Sequence, residues 1–380
     1  MSYSSSREVI LPPQWSEAVI TIASSFPPPP ITLICGPKNS GKSTFSRFLL
    51  NSLLQRYKRV GYLDTDVGQP EFTAPGCLSL HVIDDCLSDF TNPCIKAPEK
   101  CFFFGDTSSK RDPNAYLDCT FSLYDCFLKE FYQLKRNGSR KSMSPLIINT
   151  PGWVKGTGFD VLVKMLRYIF PTHVVQLRIS AESKNLPTGI FWLDQHEHKE
   201  PINLFEIHSA QRDFLDRSVL VPKDARVMQE HRLFEYFKQC FPSSYNIETN
   251  KELACALASL PPYEVAISRI KVKHLHYEVP KSEIFHSLNA TIVGLAASSL
   301  EPRMNGSCTP WCFGLGIVRG VDVRRDLLYV ITPVPCQSLE KIDLLLLGYI
   351  EIPIGFLQAG GLVSPYMSTN VMHKLSAKDL

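Results

Sequence analysis

The sequence has no long uninterrupted hydrophobic run, no strong net charge, no internal repeat and no paired cysteine and histidine spacing of the kind that builds a zinc site. Each absence removes a class of function. The most apolar stretch, Leu344 to Val363, is broken by Glu351, Pro353 and several glycines, which argues against a membrane span or a membrane partner. The formal net charge is only +3, so any nucleic-acid affinity must come from a local basic groove and not from the field of the whole molecule. The 12 cysteines are spread singly from Cys35 to Cys336, and the closest two, Cys308 and Cys312, lack a second pair. With no secretory signal at the N-terminus they read as reduced, intracellular, mostly buried thiols. A guanine-reading Asn-Lys-x-Asp string is also missing, which weakens a GTPase reading and leaves ATP as the expected nucleotide.

What is present is ordinary globular material, with 44% hydrophobic and 20% charged residues. Residues 1–30 read as a polar leader ending in the stiff run Pro27-Pro28-Pro29-Pro30, with a short docking helix from Trp15 to Ile22. Ile31–Cys35 then reads as a buried strand, and Lys42 to Gln55 as a helix with apolar residues at Phe45, Phe48, Leu49 and Leu53. Further strands are expected at Val60 to Leu63, Cys101 to Phe104, Leu146 to Ile148 and His173 to Leu177, with helices at Tyr116 to Leu134 and Phe159 to Ile169. Strands alternating with helices predict a doubly wound α/β domain with a mainly parallel sheet, over residues 31–260 with its lid. From about 261 to 380 the short pieces Val265 to Val272, Ala290 to Leu295, Leu315 to Val318 and Leu327 to Ile331 predict a smaller β-rich C-terminal domain. Lys135 to Lys141 is basic and turn-rich and reads as an exposed loop.

The chemistry is concentrated in three loops that follow strands. Gly36-Pro37-Lys38-Asn39-Ser40-Gly41-Lys42-Ser43 satisfies the G-x-x-x-x-G-K-[ST] pattern between a strand and a helix, with Thr44 adding a second hydroxyl. In such a P-loop the glycines let backbone N–H groups turn around phosphate oxygens, Lys42 brings a cation to the β- and γ-phosphates, and Ser43 can ligate Mg²⁺. Asp64 and Asp66 follow the next strand; on a continuing strand they would share a face, one holding Mg²⁺ and the other accepting a proton from an attacking hydroxyl, although either could merely cap a turn. Gln69 is placed to orient Mg²⁺ waters or the nucleophile. The third loop, Asn149 to Gly158, joins Thr150, Gly152, Trp153 and Lys155, a set suited to stacking a base and holding a phosphate. A tryptophan that simply anchors the loop is the equal alternative. A further loop, Gly105 to Pro113, could touch phosphates or cap the following helix.

These strings, in order, together with Phe103-Phe104-Gly105-Asp106-Thr107-Ser108 and Thr172-His173-Val174-Val175-Gln176-Leu177, resemble the polynucleotide 5′-hydroxyl kinase family. Leu288 to Leu295, Gly314 to Gly320 and Ile331 to Pro335 resemble its nucleolar, ribosomal-RNA-processing branch, and the likeness runs from about Trp15 to about Pro353. The resemblance implies ATP- and Mg²⁺-dependent phosphorylation of 5′-hydroxyl ends of RNA, or of DNA. It implies Lys42 and Ser43 on phosphates and metal, Asp66 as base or hydroxyl-orienting group, Gln69 in the metal shell and Trp153 clamping the base. A lid arginine is also implied, for which Arg226 and Arg232 are the candidates, each equally readable as a surface helix charge. The same resemblance implies a nucleolar setting, ribosomal-RNA precursor processing and an endonuclease partner. Family members commonly carry an extra β-rich domain ahead of the kinase domain, whereas only about thirty residues precede the P-loop here, so weaker RNA binding or reliance on another subunit is expected. The alternative readings are a non-catalytic nucleotide-binding scaffold and an ATPase subunit of an RNA-processing nuclease complex.

Overall fold

The computed structural model describes residues 11–25, 27–88, 94–132, 143–193, 202–210, 224–298 and 310–357. The basic loop expected at Lys135 to Lys141 and the first ten residues of the leader lie outside the described residues.

The chain divides into two compact units that interleave along the sequence: residues 1–66, 80–94 and 120–222 in the first, and 67–79, 95–119 and 223–380 in the second. This differs from the linear division at 30 and 260 expected above, because segments on either side of the strand Cys77–Ile83 return to different cores. The 3.6-residue and 2-residue periodicities report local structure and carry no information on such returns.

In chain order the α/β part contains α1 (Pro13–Ser24), β1 (Ile31–Cys35), α2 (Lys42–Leu54), β2 (Val60–Asp64), β3 (Cys77–Ile83), β4 (Lys100–Phe103), α3 (Pro113–Phe127), β5 (Leu146–Asn149), α4 (Thr157–Ile169), β6 (His173–Arg178) and β7 (Asn203–His208). Their sheet has the strand order β4-β3-β2-β5-β1-β6-β7. β1 is parallel to both β5 and β6, β2 is parallel to β5, and β6 is parallel to β7. All five residues of β1 and of β2 are buried, which explains why both read as continuous apolar runs and not as alternating ones. The sequence reading missed β3 and β7: β7 is an edge strand that mixes exposed Asn203, Glu206 and His208 with partly covered apolar residues, and β3 carries Ser79 and His81 inside an otherwise apolar run.

The docking helix expected from Trp15 to Ile22 is α1, and residues 11–25 are a packed part of the first unit. α1 buries Trp15 completely, sets its ring edge-on to Phe45 of α2 at 5.4 Å, and sends the indole N–H to the His208 carbonyl of β7 at 2.8 Å. A fully buried tryptophan needs such an acceptor. The helix therefore covers α2 and the edge strand together.

The second unit is built around a six-stranded sheet that joins β8 (Tyr263–Ala266), β9 (Lys271–His274), β10 (Thr291–Ala296), β11 (Cys312–Asp322), β12 (Leu327–Ile331) and β13 (Leu344–Leu347) in the order β8-β12-β11-β10-β13-β9. The pairings are antiparallel except β13 with β9. Val265 to Val272, read as one β piece, is two strands on opposite edges of this sheet, separated by a short 3₁₀ turn at Ile267–Arg269. Leu344–Leu347, part of the apolar stretch whose charge and proline argued against a membrane span, is the buried strand β13. Among the described residues no helix is long and apolar enough to cross a membrane. One face of the unit is covered by α5 (Ala225–Lys238) and α6 (Asn250–Ser259), whose Leu233, Phe237, Leu253 and Leu257 share a core with Ile292, Leu315 and Leu346. α6 opens with a complete capping box, Thr249 and Glu252 each accepting from the other's backbone N–H.

Candidate nucleotide and acceptor site

β1 delivers the P-loop at the carboxyl edge of the sheet, where α/β folds present their ligand sites. Two glycines are required there by geometry. Gly36 has φ 140°, and a Cβ on it would lie 2.4 Å from the Leu177 carbonyl oxygen; Gly41 has φ 93°, and a Cβ on it would lie 2.9 Å from the Trp15 ring. Asn39 also takes a left-handed conformation, with φ 60°. No side chain caps the first turn of α2, so its N–H groups remain available as the anion-binding end of the helix. Ser40 Oγ is buried without a partner in the same loop. This cradle, with its close glycine contacts and uncapped helix start, fits a nucleotide triphosphate tail. The half-buried hydroxyls of Ser43 and Thr44 supply the hard oxygen donors that Mg²⁺ prefers.

Lys42 is 8% exposed, and its ammonium donates to the carbonyls of Gly36 at 3.1 Å and Pro37 at 2.7 Å. Burial lowers its pKa to about 8, partly opposed by the Asp66 carboxylate, which favours the charged form. Lys42 in turn acts against the burial that pushes the neighbouring Cys35 thiol up to about 12.

β2 ends at Asp64, so the expected shared face of Asp64 and Asp66 on one continuing strand does not form. Asp64 is fully buried; its Oδ1 accepts from the Asp66 backbone N–H at 3.2 Å and from the Asn149 amide at 3.3 Å. It thus shapes the turn that presents Asp66, which is half-buried and close enough to act electrostatically on Lys42. Asn149, which sequence reasoning left without a role, is the bracket here: its carbonyl also takes the Thr65 N–H at 3.0 Å and the Thr65 hydroxyl at 2.8 Å. Its place at the head of the Asn149 to Gly158 loop is the signal the sequence carries; its register with Asp64 is visible only in the fold.

The third loop is seated on the first. Thr150, proposed as a substrate contact, is buried and donates its hydroxyl to the Ile34 carbonyl of β1 at 2.8 Å, so it acts as a tether. Gly152 lies so close to the P-loop that a Cβ on it would meet Lys38 backbone N at 2.6 Å and Cα at 2.7 Å. Trp153 is half-buried and lies against Gly158, where a Cβ would be 2.7 Å from its ring. Trp153 therefore anchors the start of α4 and keeps a solvent-facing portion. Lys155 is exposed beside it.

The remaining predicted residues belong to the second unit. Gln69 is half-buried in the segment 67–79. Arg232 is 6% exposed, and its guanidinium donates to the Glu71 carbonyl at 2.9 Å. Arg226, on the first turn of α5, is exposed and paired with Glu230 at 3.2 Å. In the Gly105 to Pro113 loop Asp112 caps α3 through the Ala115 N–H at 2.9 Å, the structural reading of that loop. Asp106 is buried and accepts from the Ser108 N–H and from Arg111 at 2.7 Å, while the Arg111 guanidinium sits 4.2 Å from the Tyr349 ring centroid.

Residues 36–238 match the family model described as the mRNA cleavage and polyadenylation factor CLP1 P-loop, and residues 258–353 match the NOL9-like C-terminal domain. The chain is 52% identical over 376 residues to the "Polynucleotide 5′-hydroxyl-kinase NOL9" of Arabidopsis thaliana, covering 98% of this chain and 99% of that one. It is 34% identical to the Danio rerio protein of the same name, covering 92% of this chain but 50% of the fish protein, so it spans about half the length of that relative. Among solved structures, the wild-type Clp1p–Pcf11p complex shares the fold with a TM-score of 0.57 at 16% identity, over 89% of this chain and 78% of that one.

Proposed function

The chain belongs to the NOL9-type polynucleotide 5′-hydroxyl-kinase family, and from that membership we propose the following assignment of its residues and setting. The protein is an ATP-using P-loop kinase of 5′-hydroxyl ends of RNA. In the transfer, the acceptor 5′-oxygen forms a bond to the γ-phosphorus while the bond to the β,γ-bridging oxygen breaks, ADP leaves, and the hydroxyl proton passes to a carboxylate. Asp66 is the carboxylate, held at its station by the buried Asp64. Lys42 neutralises charge gathering on the transferred group, and the P-loop N–H groups fix the donor. Mg²⁺, held by Ser43 with Asp64 acting through water, supplies further charge neutralisation when bound.

Trp153 and Lys155 receive the acceptor end. The observation that carries this reading is the contact of Gly152 with Lys38, which supports an acceptor loop built directly against the donor loop. Such mutual positioning supplies much of the catalysis in phosphoryl transfer. Of the two lid candidates Arg226 is favoured, since Arg232 is buried inside its own unit, its Nη1 donating to the Glu71 carbonyl, whereas Arg226 is exposed. The setting we infer is ribosomal-RNA precursor processing in the nucleus, at the nucleolus, with an endonuclease as partner. Support for that setting is the match to the NOL9-like C-terminal domain.

The deciding experiment follows labelled γ-phosphate from ATP to a short 5′-hydroxyl RNA, for the purified chain beside Lys42→Ala and Asp66→Asn. Transfer by the wild type, with Lys42→Ala weakened in ATP binding and turnover and Asp66→Asn losing kcat while still binding ATP, is the expected pattern. Tight ATP binding without any transfer would return the scaffold reading.

A further inference from the structure

Past the Trp153 loop the first unit holds a cleft of about 470 Å³, whose lining includes Lys155, Phe159, Arg178, Glu182, Leu186 and Thr188. Of its lining, only the Lys155 edge belongs to a loop that the sequence singles out. One wall is the direct continuation of the acceptor loop, and its Phe159 is stacked on Phe191 with ring centroids 5.3 Å apart. The other wall is the segment that follows β6, and it is rigidly built. Gln176 donates its side-chain amide to the Leu186 and Pro187 carbonyls at 3.3 and 3.0 Å. Asn185 closes a ring on the backbone of Ile179, accepting from its N–H at 2.8 Å and donating to its carbonyl at 2.7 Å. An open, shallow concavity of this size, with an aromatic ring, apolar patches and a few polar groups, suits one residue of an extended ligand laid along the surface.

Its charges narrow the ligand class. Lys155 is exposed on one wall; Arg178 stands on the other with its side chain only 12% exposed, donating to Glu182 at 3.0 Å. The Glu182 side chain is 74% exposed, so that ion pair is weak and open to exchange. A phosphodiester is a better partner for the guanidinium than a solvated carboxylate, because it can accept parallel N–H bonds at no cost of ordering a side chain. We propose that this cleft is a second acceptor subsite, taking a downstream nucleotide of single-stranded RNA, with its base against Phe159 and its phosphate between Lys155 and Arg178 in place of Glu182. The inference rests on the kinase reading above, and the continuity of the cleft with the Trp153 loop assigns it to the acceptor. The other source of the same chemistry is the nucleotide of ATP, which the test separates.

The full chain, Arg178→Gln, Glu182→Gln and the double variant are compared by fluorescence anisotropy of a labelled 5′-hydroxyl oligoribonucleotide and by KM for RNA and for ATP measured separately. Arg178→Gln weakens RNA binding by roughly tenfold, the effect of one charged hydrogen bond. Glu182→Gln strengthens it by roughly twofold to threefold, the scale of one exposed charge pair. The double variant resembles Arg178→Gln alone, since the competitor acts only through the guanidinium. A merely structural role for the pair cannot give opposite signs. Should Arg178→Gln lower the melting temperature, the exposed Glu182→Gln variant carries the test by itself. A shift in KM for ATP instead of RNA would reassign the cleft to the donor, and unchanged RNA affinity in Glu182→Gln would overturn the proposal. Absence of phosphate transfer by the wild type would sink the kinase reading alone, because the anisotropy reads the subsite without catalysis.

Discussion

Gly152 and Lys38 are in contact across two loops that are more than a hundred residues apart in sequence, and the contact leaves no room for a single methyl group on the glycine. The atoms in the way are Lys38 backbone N and Cα, so the obstruction cannot be relieved by a rotamer change. Gly152→Ala must displace the P-loop or the acceptor loop. It is expected to destabilise the protein by about 1–3 kcal/mol, the usual cost of overpacking, and to raise KM for ATP and RNA together. Calorimetry of ATP binding checks the first half of that statement; an unchanged ATP affinity would mean that the two loops move independently.

Lys42 sets a pH dependence. Its folded pKa of about 8 lies below the unfolded value of 10.5, so between these the unfolded chain binds the extra proton and stability rises with pH. Below about pH 8 the buried ammonium carries its full desolvation cost, on the order of 3 kcal/mol. Phosphates bound beside the ammonium offset that cost. The thermal stabilisation given by saturating ATP should therefore be larger at pH 7 than at pH 9, and Lys42→Met should remove the difference.

His173 makes the opposite end of the pH range sensitive. The residue is 3% exposed, its ring nitrogens meet Thr172, Ser25 and Asn203, and burial lowers its pKa to about 4. The folded pKa is below the unfolded 6.5, so protonation favours unfolding: stability is intact above pH 6.5 and is lost as pH falls toward 4. Melting temperatures recorded between pH 7 and pH 4 should fall through this window, and His173→Gln should flatten the fall. The same slope in the variant would assign the acid sensitivity to carboxylates.

The two candidate lid arginines separate by readout. Arg232→Ala removes a buried donor from the Glu71 carbonyl and should cost about 2 kcal/mol of stability. Arg226→Ala breaks only an exposed pair with Glu230, worth under about 1 kcal/mol. If Arg226 steadies the moving phosphoryl group, its loss lowers kcat by roughly a hundredfold or more without shifting the melting temperature. An unchanged kcat in Arg226→Ala would remove it from the mechanism.

The P-loop was legible residue by residue because its function is written in local geometry: left-handed positions at glycines, a cation and a hydroxyl at the first helical turn. The buried parallel strands β1, β2, β5 and β6 were legible because strands covered on both faces must be apolar throughout. Edge strand β7 carries no such constraint and was missed. Asp64 is legible in the sequence as a candidate metal group, but not the bonds its carboxylate takes from the Asp66 N–H and the Asn149 amide, partners set by strand register.

By itself the sequence determined the nucleotide-binding chemistry, the parallel-sheet class and the family, since each depends on neighbours within a few residues or on strings that are compared whole. Only the tertiary structure decided that α1 packs into the first unit through Trp15, that Thr150 is a tether, that Gly152 rests on the P-loop and that a cleft opens between the acceptor loop and Arg178. These are contacts between segments far apart in the chain. They are set by which strands pair and how far each loop reaches, and no local periodicity encodes either.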